Sequence, residues 1–554
     1  MRMEIENARK TIYSYVENNS LLSTYSFNNV AHLLTCAFEN INIELLSPEY
    51  MTAYKYIDDS QAKYRDGYRE SLKDAFKYCK EKETNGIPKD YEINRCKALI
   101  EQEILFNPIR YSFERFDVGY YDLHIEGKNI EFNYKNCRRA KDVELILKYN
   151  DIECIDKARP KFDEARYKEI IKYMCLPDFT NKWDSYKQLS KSRQHFKTVV
   201  DAAYNKIKQD ASEKSDYDFG RFELSDFQRV YAVIMALGIC CFNYHYTLRH
   251  NIKNNKFYNN YLEEERFCPI VKKKKWDLVE IIKEYTQVDN TAIDEILHYL
   301  IYDPCYQANS IGIFQPLFED GDMIYYSPSL VTFAFAQDKF IWVLRKSGMF
   351  EPQIAQIAKE HEKLMVDLLN CQLKGVQLLK HSNYRAFENG IIKAEYDYMI
   401  YDEIKNKILL VELKWFYKGD SAKDFRNVDL KIQDEIDKRN LRQTYFESNY
   451  KKIIKETFKI EPKKKPETMS CIVSQNHLGS SWLEDNLAVF DEATFLWFMK
   501  KHNYDMDLIF KKLKEKDYLP DEESLGLKKC PQVIEYAGYR IVVPGICRKG
   551  VVGE

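Results

Sequence analysis

The 14 cysteines run from Cys36 to Cys547 with no C-x-x-C pair among them and one adjacent pair, Cys240 and Cys241. That spacing excludes zinc ribbons, iron–sulfur clusters and a secreted disulfide framework, and it suits a reducing cytoplasm. Charge of neither sign prevails: 84 Lys and Arg stand against 86 Asp and Glu, a formal net charge of −2. No global field therefore draws the protein onto nucleic acid, and any such binding has to use local basic patches. The opening "MRMEIENARKTIYSYVENN" lacks the apolar stretch of a signal peptide. The longest apolar run, "YAVIMALGICCF" (Tyr231 to Phe242), is shorter than the ~20 residues that cross a bilayer and reads as a buried helix. There is no fixed-period repeat. A cytoplasmic protein without a membrane span is expected.

What is present is ample core material. With 45% hydrophobic and 14% aromatic residues in 554 positions, a chain of roughly three or four domains is expected. Residues 1–207 read as mainly helical, interrupted by a β-hairpin at 116–135 whose turn is Glu126-Gly127-Lys128-Asn129. Residues 208–345 read as a helical connecting region that begins in the polar stretch 208–220 and carries a second hairpin at 314–331. From 346 to 505 the order changes to helix (351–370), strands (376–380, 394–402, 407–415), helix (429–455), strand (469–474), and strand (487–490) leading into a helix. That order predicts a mixed sheet with helices on both faces. Residues 506–554 form a C-terminal extension.

Charge inside one apolar hairpin, "AEYDYMIYDEIKNKILLVELKW" (394–415), is the sharpest functional signal. A turn at 403–406 closed by Asp402 and Lys407 places Asp397 across from Glu412 and Glu395 across from Lys414, all on one face. The other face carries Tyr396, Tyr398, Ile400, Leu409, Val411, Leu413 and Trp415. Nearer the turn the charged face is apolar too, with Met399, Tyr401, Ile408 and Leu410, so both strands read as interior. Opposed carboxylates at such a place are destabilising unless Lys414, a shared proton or a bound cation offsets them. Two converging carboxylates suit Mg²⁺, a hard ion that keeps several waters. Lys414 would then stand beside a metal-bound water, to orient or deprotonate it, its pKa lowered by positive charge and partial burial. Such a constellation suits hydrolysis of a phosphodiester. The bland alternative is a cross-strand salt-bridge cluster of Lys414 with Glu395 and Asp397.

"EYD" followed 15 residues later by "ELK", on consecutive strands after a helix, resembles the PD-(D/E)XK nuclease superfamily, over roughly residues 350–500. The resemblance implies a restriction-endonuclease-like fold, Asp397 and Glu412 as ligands of Mg²⁺ or Mn²⁺, and Lys414 as the residue assisting the nucleophilic water. It also implies a further acid from the preceding helix, for which Glu362 is preferred over Glu360, with Leu364, Val366 and Leu369 packing inward. Tyr396 stands where the family's name has Pro, and Gln443 is followed by Glu447 where one subgroup has Gln-x-x-x-Tyr. The implied activity is DNA cleavage, less readily RNA cleavage. The helical region ahead of it would serve recognition, partner binding or oligomerisation, by analogy with conditional effectors such as phage-defence proteins. A catalytically inactive scaffold in a larger complex is the competing expectation. A helical interaction protein with an unrelated α/β end is a third.

Lys451, Lys452 and Lys455, with Lys463, Lys464 and Lys465, are candidates to guide a nucleic-acid backbone into the site. "VKKKKWD" (271–277) reads as a solvated helix start, "RHNIKNNK" with His245 just ahead of it and His250 within it as a polar helix end, and His477 as a loop residue.

Overall fold

The computed structural model describes residues 2–45, 54–79, 90–135, 190–211, 216–250, 268–303, 314–332, 336–416, 422–475, 487–521 and 523–548. The helical patterns expected over 138–189 and the loop holding His477 lie outside the described residues. The architecture is mixed α/β with mixed sheets. In chain order the strands are β1 (Tyr121–Glu126), β2 (Asn129–Tyr134), β3 (Val271–Lys274), β4 (Leu317–Asp320), β5 (Met323–Tyr326), β6 (Leu379–Glu388), β7 (Ile391–Asp402), β8 (Lys407–Trp415), β9 (Glu467–Gln475), β10 (Ala488–Asp491), β11 (Leu527–Lys529), β12 (Gln532–Tyr536), β13 (Tyr539–Val543) and β14 (Ile546–Arg548).

The chain forms two compact units, one of Met1–Pro108 with Lys157–Ile354 and one of Ile109–Asp156 with Ala355–Glu554. This division differs from breaks at 207, 345 and 505. Hairpin β1–β2 belongs with the C-terminal residues, because β13 pairs in parallel with β2, Arg540 against Asn129 through Val542 against Glu131. A lone two-stranded hairpin is marginal in water. The four-stranded sheet β1-β2-β13-β12 gives Ile130, Phe132, Ile541 and Val543 a shared buried face.

In the first unit, helix Phe27–Leu45 is buried almost all round from Val30 to Ile43, so its polar residues must be paired internally. Thr35 Oγ1 donates to the Ala31 carbonyl at 2.7 Å and Asn40 Nδ2 to the Cys36 carbonyl at 2.7 Å. Glu39 accepts from the Ser327 hydroxyl and from Ser329, N at 2.8 Å and Oγ at 2.9 Å. Burial pushes the Glu39 carboxyl up to about 7, these donors pulling the other way. Helix Leu224–His250 carries His245 buried, and the residues that follow His250 lie outside the described ones. Its Leu224–Phe242 window is long and apolar enough to cross a bilayer, and 72% of it is buried inside the fold. The "VKKKKWD" segment is an edge strand, β3, paired antiparallel with β5, and the helix starts only at Lys275.

In the second unit the sheet order is β10-β9-β8-β7-β6, with β8, β9 and β10 parallel and β6 and β7 antiparallel to their neighbours. One face packs Tyr398, Ile400, Leu409, Val411, Leu413 and Val473 against helices Glu351–Gln372, Glu492–Lys501 and Met506–Lys514. The other packs Met399, Tyr401, Ile408 and Leu410 against Phe446, Ile453 and Ile454 of helix Ala422–Phe458. Helix Glu351–Gln372 buries Val366 and Leu369 toward the sheet but leaves Leu364 half exposed, against expectation. Strand β6 runs well past the expected 376–380. Its sequence LKHSNYRAFE is polar because it is an edge strand with little of either face buried.

Candidate active site

Asp402 faces Lys407 as the turn predicts, with Asp402 Oδ1 accepting from Lys405 N at 3.0 Å. The ladder runs to Tyr398 against Val411 and stops one residue short of Asp397 and Glu412. Strand β8 keeps its pairing with β9 as far as Trp415 against Gln475, so β7 is the strand that turns away. Across from Asp397, Asn383 of β6 drops out of the pairing and adopts φ +57°. Tyr396, expected on the face of Tyr398, packs with Met399, Tyr401 and Phe446 on the opposite one. The alternation has slipped at Asp397. The Leu413 N–H freed by this splay is taken by Asp397 Oδ2 at 2.9 Å, which satisfies a backbone donor that would otherwise be orphaned.

Side chains from four elements meet at the splayed end. Glu412, 1% exposed, has Lys414 Nζ 2.9 Å from Oε1, Arg442 Nη1 2.7 Å from both oxygens, and Arg439 Nη1 3.2 Å from Oε2. Lys414 also lies 3.7 Å from Glu435 Oε2. Glu362 accepts a hydrogen bond from Trp415 N, and its neighbour His361 stacks on the Trp415 ring at 4.5 Å and 5°, which fixes helix Glu351–Gln372 to the end of β8. The fold thus brings Asp397, Glu412, Lys414 and Glu362 together. Glu360 instead accepts from Gln356 at 3.3 Å. Glu395 does not meet Lys414; it pairs with its β6 neighbour Arg385 at 2.7 Å, because β7 stays in register with β6 where it has left β8.

The acids are in opposite electrostatic conditions. Burial, then repulsion from Glu412, raises the Asp397 carboxyl to about 7. Burial also raises Glu362. Burial works against ionised Glu412 too, but Lys414, Arg439 and Arg442 outweigh it and hold its pKa below the usual carboxylate range. Burial opposes the charge of Lys414, yet Glu412 and Asp397 together raise its pKa above that of an ordinary lysine; the expected lowering concerns Lys414 beside a bound cation. Beside these acids Lys414 is an ammonium that donates to Glu412 and neutralises it.

Arg439, Arg442 and Glu435 were not among the expected residues. Their signal is spacing: 435, 439 and 442 recur at helical intervals on one stripe beside the buried Ile432 and Ile436, so that stripe had to face the sheet. The basic candidates lie elsewhere. Lys465 sits at the turn end of the sheet, where Asn406 Nδ2 donates to its carbonyl at 3.0 Å, and its ammonium pairs with Glu447 at 2.8 Å. With Lys407 paired to Glu467, the Lys463–Lys465 loop is at the far end of β8 from Glu412, roughly 15–20 Å away at 3.3 Å per residue. Exposed Lys451 and Lys452 are several turns beyond Arg442 toward that end, and Lys455 pairs with Glu461. The loop follows the helix that bears Arg442, but the helix runs away from the acids.

Carboxylate donors suit a hard divalent cation, and Asp397 and Glu362, both held toward the protonated form, are the acids whose burial such a charge would relieve. Glu412 has both oxygens engaged by cationic side chains, and no group of three or more His, Cys, Asp or Glu is gathered as a metal cluster among the described residues. No family model, curated protein or solved structure matches the chain.

Proposed function

We propose that the second unit carries a metal-dependent nuclease of PD-(D/E)XK type, with a restriction-endonuclease-like fold, that hydrolyses phosphodiester bonds of DNA in preference to RNA. The observation that carries this reading is the convergence of Asp397, Glu412, Lys414 and Glu362 where β7 leaves β8. Folding alone gives no reason to gather these charges there, since the same strands are apolar on both faces a few residues nearer the turn. Asp397 and Glu362, with Glu412 once its arginine contacts loosen, would hold Mg²⁺ or Mn²⁺. Such an ion supplies charge neutralisation and an acidic bound water. Lys414 orients the attacking water and balances negative charge growing on the phosphate. The first unit is proposed to serve recognition, partner binding or activation.

Plasmid, linear DNA and RNA incubated with the full chain and Mg²⁺ or Mn²⁺ test the assignment. Cleavage should occur with the native chain and fall at least a hundredfold in Asp397→Ala and Lys414→Ala; cleavage that persists in both removes these residues from the mechanism. One observation favours a second reading, an inactive scaffold: Glu412 is already neutralised by three cationic side chains. On that reading Mn²⁺ leaves the melting temperature unchanged. On the nuclease reading a saturating concentration, 100 times Kd, stabilises by about 2.7 kcal/mol, an effect lost in Asp397→Asn.

A further inference from the structure

The two arginines on Glu412 are not equivalent. Arg439 is wholly enclosed, its guanidinium lying 5.5 Å from the centre of the Tyr396 ring. Arg442 lies three residues on, at the rim, with 22% of its side chain exposed. Its main chain is anchored, because Tyr396 Oη donates to its carbonyl at 2.8 Å. Its head is held differently: one nitrogen, Nη1, reaches both Glu412 oxygens, at 2.7 Å each. A guanidinium usually meets a carboxylate through two parallel bonds from two nitrogens, the stronger arrangement. Here Nε and Nη2 make no hydrogen bond to Glu412, and those are the edge with which arginine grips a phosphate.

We propose, building on the nuclease reading, that Arg442 is a two-position gate: it occupies Glu412 in the resting site and, on release, becomes the residue that grips the backbone phosphate of a nucleic-acid substrate. While Arg442 spans Glu412, each carboxylate oxygen faces two cationic donors, Arg442 with Lys414 on Oε1 and Arg442 with Arg439 on Oε2. Release of Arg442 leaves one donor on each and a lone pair for a cation. When the guanidinium swings out, Glu412 is left with Arg439 and Lys414, and the rim gains a free cation beside the splayed strands. The exchange couples readiness for the cation to readiness for phosphate, so each ligand favours the form that accepts the other. The basic residue on the substrate path is then Arg442, close to the acids, and not the Lys463–Lys465 loop at the far end of the sheet.

The test separates the two ligands in the full chain without relying on turnover. Mn²⁺ binding to Arg442→Gln, followed by electron paramagnetic resonance of free ion, should tighten about tenfold relative to the native chain. Binding of a labelled duplex oligonucleotide in Ca²⁺ should weaken, with a salt dependence shallower by about one phosphate contact. Arg442→Lys keeps the charge and should retain duplex binding while losing part of the hold on Glu412, which separates the gate from general damage to the fold. Unchanged or weaker Mn²⁺ binding in Arg442→Gln overturns the gate and leaves the nuclease reading standing. Absence of Mn²⁺ binding in both the native chain and Arg442→Gln overturns the nuclease reading and the gate with it.

Discussion

Glu39 in the first unit and Glu412 in the second are both withdrawn from solvent, yet their surroundings treat them in opposite ways. Glu39 meets neutral donors only, the Ser327 hydroxyl and the N–H and hydroxyl of Ser329, and its carboxyl is raised to about 7. Glu412 meets an ammonium and two guanidinium groups and stays ionised. A helix passing through a core can carry an acid that holds its proton more readily than usual and bonds to serines, and that is a structural solution. Surrounding an acid with three cations, beside two further acids that burial holds toward neutrality, adds desolvation cost that packing does not require. The first arrangement is what burial does to one polar residue. The second is the arrangement proposed above as a site.

The largest expected effect tests this contrast directly. Glu412→Gln keeps the shape but leaves Arg439 buried without its counter-charge, and should cost about 3–5 kcal/mol. Glu39→Gln keeps an acceptor for the serines and should cost only about 1 kcal/mol at pH 5. Hydrogen exchange against denaturant reads the units separately; equal losses would erase the distinction between them.

The next effect is in pH. Glu39 binds its proton more tightly folded than unfolded, so its contribution is full below the ordinary carboxylate pKa and is lost as pH rises through about 7. The span is roughly 3 kcal/mol at about 1.4 kcal/mol per pKa unit. Buried His32 on the same helix, its pKa lowered to about 4 by burial, acts with the opposite sign in both chains, so the Glu39 contribution is read as the difference between them. Native minus Glu39→Gln protection of helix Phe27–Leu45 should fall between about pH 5 and 7. Glu412 acts with the other sign: its stabilisation is present above the ordinary carboxylate range and is lost only as pH drops below it. A difference between the two chains that does not change over this range would show that Glu39 does not carry the dependence. The smallest effect is expected at the half-exposed Arg385–Glu395 pair, where Arg385→Ala should change stability by less than about 1 kcal/mol. A larger loss would mean that this pair, and not the Asp397 bond to Leu413, holds the splay.

Much of the second unit's sheet was legible because interior strands declare themselves. The turn at 403–406, the pairing of Asp402 with Lys407 and both apolar faces followed from alternation alone. Alternation could not foresee its own failure at Asp397. The slip depends on β6 and β9 holding β7 and β8 to different partners, which are non-local facts. The polar edge strand β6 was read short for want of buried faces. Arg439 and Arg442 escaped notice because charge on a helix is common and ordinarily solvated; only their spacing beside Ile432 and Ile436 marks the stripe as inward. The junction of β2 with β13 had no signal at all, being a pairing of segments some 400 residues apart.

That junction bears on the order in which the molecule is made. Tyr120, at the entrance to β1, donates its hydroxyl hydrogen to Asp429, a buried residue of the helix that later presents Glu435, Arg439 and Arg442. Strand β2 waits for β13 to close its sheet. During synthesis the early hairpin must therefore stay without its β13 partner while hundreds of residues emerge. Such long-range closure is slow and leaves strand edges exposed meanwhile.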